Sequence, residues 1–271
     1  MTQIPDIDFA AVRALIRELG REIALPGFAR TQSTRKHDGS VVTEIDLAIQ
    51  QEATARLAAI APGIALLGEE MSADEQSRLL AGDGPLWCLD PLDGTSNFVS
   101  GVPVFAISLA LLVAGRSVFG VVYDPVRDEC FHAELGAGAW LGDRRLEVTD
   151  PAPNLRRAIA LIDFKRLKPP LSWALASAAP YRSQRSIGSV ALDWCWLADG
   201  RCDVYLHGGQ RLWDWAAGEL ILREAGGVSA TLDGLDQAQA SLTPRSAVAA
   251  TSTALFNDWR EWLSAAASRS P

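Results

Sequence analysis

At 271 residues, with 48% hydrophobic and 21% charged residues, the chain has an ordinary globular composition and enough length for one large domain or two modest ones. Its 33 acidic and 25 basic residues give a net charge of -8, which argues against a surface for nucleic acid or for anionic membrane. The longest apolar stretch, Val104 to Ala114, falls well short of the roughly 20 residues that span a bilayer.

In chain order, the opening residues Met1 to Asp6 lack the basic start and apolar core of a secretion signal. Phe9, Val12, Leu15, Ile16 and Leu19 then recur at helical spacing and predict an amphipathic helix from Asp8 to about Ile23. Thr43-Glu44-Ile45-Asp46 has the form of a capping box and opens a helix that runs to about Ile60. Ile64 to Leu67 predicts a strand leading straight into Gly68-Glu69-Glu70, and Asp74 to Ala81 a short helix. Pro85 to Leu89 is an apolar run of the buried-strand kind, ending at Asp90.

Val104 to Ala114, Ser117 to Tyr123 and Glu129 to Ala133, separated by turn residues, predict an antiparallel meander, with further turns at Gly136 to Gly138 and at Gly142-Asp143. Pro151-Ala152-Pro153-Asn154 marks a boundary between an N-terminal α+β subdomain, 1–150, and a C-terminal α/β subdomain, 151–271. Beyond it the expected order is strand 158–162, helix 171–178 introduced by Pro169-Pro170, strand 181–186, helix 189–198, strand 202–206, helix 214–225 and strands near 228 and 247. Thr251-Ser252-Thr253 caps a last helix through Leu263, after which 264–271 should fray. The cysteines, Cys88, Cys130, Cys195 and Cys202, show no C-x-x-C spacing and are expected to be reduced packing residues of a cytoplasmic protein.

The densest chemistry lies in Asp90-Pro91-Leu92-Asp93-Gly94-Thr95-Ser96-Asn97-Phe98. Two acids three residues apart resist sharing a small site while both are ionised, unless a cation lies between them. Oxygen ligands alone select a hard ion such as Mg2+ or Mn2+. The Gly94-Thr95 step into a helix turns backbone N–H groups outward, where they can hold a phosphate oxygen. A plain Asx turn would explain one Asp-Gly pair. Seven specified positions coincide by chance on the order of 1 in 10^9 per start, so a turn alone is a poor explanation.

This segment matches D-P-x-D-G-T-x-N-F, the first signature of the inositol monophosphatase family, and Trp213-Asp214-Trp215-Ala216-Ala217-Gly218 followed by Gly226-Gly227 resembles the second. Similarity extends through Lys36 to Asp46, Gly68-Glu69-Glu70, Gly120 to Tyr123 and Gly188-Ser189. The resemblance implies a layered α/β fold, the αβαβα sandwich shared with fructose-1,6-bisphosphatase, with the site at the junction of its halves. It implies that Glu69, Asp90, Asp93, Asp214 and the Leu92 carbonyl hold two or three Mg2+ ions, with Mn2+ a possible substitute. It further implies that Gly94 and Thr95 bind the phosphate, that Asp46, Glu69 and Thr95 work on the attacking water, and that Lys36 lines the entrance to a third metal site. Taken alone, Asp46 is explained by its cap, Asp214 by a helix N-terminus and Lys36 by a solvated surface.

The reaction so implied is in-line attack of activated water on the phosphorus of a small monoester, without a covalent phosphoenzyme. Substrate contacts are expected from Gly188, Ser189 and Val190 and from Arg185, with Arg182 and Arg185 equally explained as exposed strand ends. Members of the family that act on inositol phosphates usually carry a glutamate seven residues before the second-signature aspartate; this chain has His207 there. Its imidazole is either a substrate contact or a strand-end residue before a flexible Gly208-Gly209 loop. Inositol 1-phosphate, histidinol phosphate, fructose bisphosphate and adenosine bisphosphate stand as candidate substrates. A regulatory partner-binding protein on the same fold is the alternative of another class. A homodimer is a further expectation of the resemblance, and neither nucleic acid nor membrane is an expected partner.

Overall fold

The computed structural model describes residues 6–28, 30, 33–35, 41–148 and 151–268. Lys36 lies outside the described residues. The chain begins with α1 (Phe9–Leu19), a π-helical turn over Gly20–Ala24 and a short α2 (Leu25–Gly27). The amphipathic helix is therefore present, but its last turn is widened where the Arg21 guanidinium reaches Tyr123 Oη at 3.1 Å and both Asp128 oxygens at 2.7 Å. A small ribbon of β1 (Ser33–Arg35) and β2 (Val41–Thr43) leads into α3 (Glu44–Ile60). The capping box is formed as the sequence requires, with Thr43 N–H donating to Asp46 Oδ2 at 2.8 Å.

Seven strands follow in one sheet: β3 (Ala65–Gly68), β4 (Leu86–Asp93) after helix α4 (Ala73–Leu80), then, after the short α5 (Thr95–Ser100), β5 (Ala106–Val113), β6 (Arg116–Asp124), β7 (Glu129–Glu134), β8 (Gly138–Leu141) and β9 (Arg144–Leu146). They lie side by side in chain order, β3 parallel to β4 and the rest antiparallel. The meander is two strands longer than its sequence suggests. Gly138 and Gly142, read as turn residues alone, bracket the hairpin pairing of β7 and β8, with Glu134 opposite Gly138.

The second sheet has the order β11-β10-β12-β14-β13, from β10 (Ile159–Asp163), β11 (Ser183–Arg185), β12 (Val204–Gln210), β13 (Val228–Ala230) and β14 (Arg245–Ala250). Helices α6 (Pro169–Ser177), α7 (Val190–Ala198), α8 (Leu212–Glu224) and α9 (Thr253–Ala267) intersperse them. Here β12 runs past the expected end at 206, and α9 runs past Leu263 to Ala267, because Leu263 and Ala266 both bury against the sheet.

Strand alternation builds the layers. On β4 to β6, Trp87, Leu89, Leu109, Phe119 and Val121 face α1 and α3, where Val12, Leu15, Ile16, Ile49 and Leu57 meet them. The opposite face, with Cys88, Ala110 and Val122 and with Phe131 of β7, packs on α7 and α8 through Trp194, Leu197, Trp215 and Leu220. Leu161, Tyr205 and Ala249 close that middle layer from the second sheet. Ala160, Ile162, Leu206 and Val248 turn the other way, onto α6 and α9 at Leu171, Leu175 and Trp259. The result is helix, sheet, helix, sheet, helix, the expected sandwich. Each buried Leu or Phe contributes about 1.5–3 kcal/mol by leaving water. At Gly120 a Cβ would stand 2.9 Å from the Ala217 backbone, so only glycine lets β6 and α8 approach so closely. All four cysteines are free and buried. No helix of the described residues is long and apolar enough to cross a membrane.

Candidate active site

Strand β4 does not stop at Asp90. It continues to Asp93 through an irregularity in its pairing with β5, Asp90 lying opposite Ser108 and Asp93 opposite Ala106. A bulge re-aims the side chains around it, and here the two acids flank the break. Gly94 follows at φ +90°, the left-handed turn that ends the strand and opens α5 at Thr95. Asn97 fastens this turn, donating to the Val104 carbonyl at 2.8 Å and the Ile187 carbonyl at 2.7 Å, and so ties α5 to the loop before Gly188.

The acids are fixed by main-chain donors. Asp90 Oδ1 accepts from Leu92 N–H at 3.0 Å. Asp214, on the first turn of α8, accepts from Arg211 N–H at 2.8 Å. Asp93 accepts from Ala191 N–H at 2.8 Å, from Val190 N–H at 3.2 Å and from the Ser189 hydroxyl. Asp46, at the start of α3, is held by Thr43. Glu69 directly follows β3, its N–H donating to the Leu89 carbonyl at 3.1 Å. Four distant parts of the chain thus converge.

Backbone bonds position these groups without neutralising them. Burial pushes the Asp90 carboxyl well above the usual range, and the other charges that act on it, Glu69, Asp93 and Asp214, all push the same way. Asp214 is likewise raised, first by burial and then by Asp93 and Glu69, against a smaller opposing effect of Arg166. Burial lifts Asp93 to about 6 even though Ser189, Ala191 and Val190 oppose it. Asp46 is raised by burial, against its Thr43 bonds, with Glu69 adding to the rise. Among the described residues no three of these side chains stand close enough to form a finished ligand cage; they group at the range of mutual repulsion. The donor set, carboxylates with one carbonyl, nevertheless suits a hard divalent ion and little else.

Thr95 links the acids to the helix. Its hydroxyl donates to the Leu92 carbonyl at 3.0 Å and stands 3.5 Å from Asp46 Oδ1. Gly188, at φ +76°, packs on Asn97 and precedes Ser189, the N-cap of α7. Ser189 is fully buried, and its hydroxyl is spent on Asp93 and on the Leu192 N–H. Arg185 stands apart from the cluster, folded onto Ser183 Oγ and the Gln184 carbonyl of its own strand at 2.7 and 2.8 Å.

His207 is neither at a strand end nor beside a loose loop, since β12 carries Gly208 and Gly209 within it. The ring is 1% exposed; Nδ1 accepts from Gly209 N–H at 3.1 Å and Nε2 stands 2.9 Å from Asp163. Asp163 and Arg166 are the residues at this rim that sequence reasoning missed. Neither belongs to a motif; the only signal was that Asp163 ends an apolar strand run. A cavity of about 870 Å3 shares Arg166 and Gly208 with this rim, but its floor of Leu167, Leu171, Val248 and Leu263 is apolar and it holds none of the clustered acids.

Comparison with known proteins agrees with this geometry. The model of the inositol monophosphatase family matches residues 1–269. The chain belongs to the inositol monophosphatase family. It is 38% identical over 232 residues to a Nus factor SuhB of Pasteurella multocida, covering 83% of this chain and 84% of that one. It is 35% identical over 242 residues to an inositol-1-monophosphatase of Mesorhizobium japonicum, covering 83% and 82%. Among solved structures, the Thermotoga maritima IMPase superposes with a TM-score of 0.81 at 27% identity, covering 96% of this chain and 97% of that one. As an inositol monophosphatase family member, the chain is a phosphoric monoester hydrolase.

Proposed function

We propose that this family member releases phosphate from a small polyol or sugar phosphate, such as inositol 1-phosphate, with Mg2+ as cofactor. The observation that carries the proposal is the cluster of buried carboxylates, each raised by burial and by its acidic neighbours, beside the opening of α5. Glu69, Asp90, Asp93, Asp214 and the Leu92 carbonyl would hold two or three ions. When bound, Mg2+ supplies positive charge that lowers the pKa of a ligated water and stabilises the departing alkoxide.

The protein's own part follows from its bonds. Gly94 and Thr95 present N–H groups to the phosphate oxygens at the start of α5. The Thr95 hydroxyl, between the Leu92 carbonyl and Asp46, orients the attacking water, with Asp46 and Glu69 flanking it. Burial of Asp90, Asp93 and Asp46 keeps bulk water from screening these charges. Gly188, against Asn97, lines the substrate side, and Ser189 and Val190 act there by holding Asp93 in place. Histidinol phosphate, fructose bisphosphate and adenosine bisphosphate are the competing substrates.

The test is phosphate release from a panel of these esters with Mg2+ and with chelator. Hydrolysis that requires the ion and favours a polyol ester supports the proposal; ion-independent turnover opposes it. In a single turnover in H2-18O, label must enter phosphate rather than the alcohol. A second reading comes from the relative named Nus factor SuhB: a role in transcription through a protein partner. It is favoured if the purified chain hydrolyses no ester of the panel. The proposal also takes the protein to be a cytoplasmic homodimer, which light scattering of the purified chain tests.

A further inference from the structure

Strands β10 and β12 are parallel neighbours, and their last paired residues are Asp163 and His207. The carboxyl ends of adjacent parallel strands are where open α/β sheets receive ligands. His207 lies too deep to be one of the receiving groups. Its ring is 1% exposed, and both nitrogens are committed: Gly209 N–H fixes Nδ1 as the acceptor, which leaves the proton on Nε2 to be donated to Asp163 Oδ2 at 2.9 Å. Burial lowers the pKa of the ring, so the pair is a neutral imidazole donating to a carboxylate.

Asp163 has the opposite character. Its side chain keeps 25% of its surface exposed. Oδ1 accepts from Lys165 N–H at 2.8 Å and Oδ2 accepts from His207, and a carboxylate oxygen can accept a second hydrogen bond besides. Arg166 Nε stands 3.6 Å from Oδ2, and the bonds to His207 and Lys165 with the charge of Arg166 outweigh burial, so the carboxyl stays below its usual range. Arg166 Nη1 donates to the Gly209 carbonyl at 3.3 Å on β12, and β12 runs through Gln210 and Arg211 into the first turn of α8 that carries Asp214, so this carboxylate lies beside the strand that leads into the acid cluster. A fixed, ionised, half-compensated carboxylate offering one acceptor from each oxygen suits two neighbouring hydroxyl donors.

We infer that Asp163 is the residue that selects the substrate's alcohol part, gripping a vicinal diol, and that His207 is a positioning residue that holds it. The inference rests on the phosphatase reading above and narrows its substrate class to esters with adjacent free hydroxyls.

The experiment compares inositol 1-phosphate with p-nitrophenyl phosphate, which carries no aliphatic hydroxyl, for the wild type and for Asp163→Asn, His207→Phe and His207→Gln, with Mg2+ present. Asp163→Asn should raise KM for the inositol ester about tenfold to a hundredfold, the usual effect of losing charged hydrogen bonds, with kcat and both constants for p-nitrophenyl phosphate within about twofold. His207→Phe should do the same. His207→Gln, whose amide can still donate to Asp163, should restore most of the affinity. Turnover of p-nitrophenyl phosphate serves as the control for folding in each variant. Equal losses on both esters, an unchanged KM for the inositol ester, or no wild-type preference for it would overturn the inference and leave the phosphatase standing. No wild-type turnover of either ester would remove the phosphatase reading and this inference together.

Discussion

The acid cluster at the end of β4 and the rim where β10 ends beside His207 of β12 are both built of buried or half-buried polar groups, yet they balance charge in opposite ways. At the rim the charge of Asp163 is partly compensated inside the protein, by the Nε2 proton of His207 and the charge of Arg166. In the cluster, the charges among the described residues that act on Asp90 are the acids Glu69, Asp93 and Asp214, and the Leu92 N–H sets its position without cancelling its charge. Such an arrangement is costly in isolation and becomes favourable when an external cation arrives. Under the proposed function, one half of the site would take metal and phosphate and the other neutral hydroxyls.

Several substitutions would break this contrast, and the largest effect belongs to the cluster. Asp93→Asn or Asp214→Asn should lower kcat for Mg2+-dependent phosphate release by about 10^3-fold or more, with the near-UV circular dichroism of the folded protein unchanged. Near-normal turnover in either variant would take that residue out of the site. Thr95→Ala, which removes the hydroxyl between Leu92 and Asp46, should reduce kcat by about 10^2-fold while KM changes little.

Stability should carry the same signature at smaller scale. At a Mg2+ concentration of about 100 times its Kd the ion contributes about 2.7 kcal/mol, a rise in Tm of roughly 5–10 °C for a protein of this size. Asp93 is raised from 3.8 to about 6, so its contribution to the metal-free protein is fully present below the unfolded value and is lost as pH rises through the folded one. Metal-free Asp93→Asn should therefore match the wild type near the lower value and exceed it in Tm above the upper one. The Mg2+-induced shift should shrink below pH of about 6, where protons compete for the same oxygens. Thermal melts across that window check both signs. Least affected should be Arg185→Ala, whose KM and Tm should stay close to wild type because the guanidinium is bonded to its own strand.

The two regions also differ in how plainly the sequence announces them. Asp90 to Phe98 is contiguous, and its glycine, hydroxyl and acids state their geometry in nine letters. Asp46 was legible as the acid of the Thr43 cap and Asp214 as an acid at a helix N-terminus, and the structure has both on the first turn of their helices. The passage of β4 through Asp90 was not legible, because it depends on a pairing irregularity with β5. Nor was the end of β12, where Gly208 and Gly209 look like a loop but remain in the strand; a Cβ at Gly208 would strike the Arg166 carbonyl, so the glycine serves close packing. Asp163 was hidden for a similar reason. Nothing local marks it, and its meaning arises only when β10 settles beside β12. The helix-and-strand alternation after Pro153 did convey the layering, since each run alternates its faces between two helix layers.

The proposed activity depends on the acids around β4 binding divalent cations. The most direct measurement is anomalous diffraction from crystals grown or soaked with Mn2+ and inorganic phosphate. Peaks enclosed by Glu69, Asp90, Asp93, Asp214 and the Leu92 carbonyl, with phosphate against Gly94 and Thr95, are the expected result. At saturating Mn2+, the absence of any peak among those oxygens would contradict it.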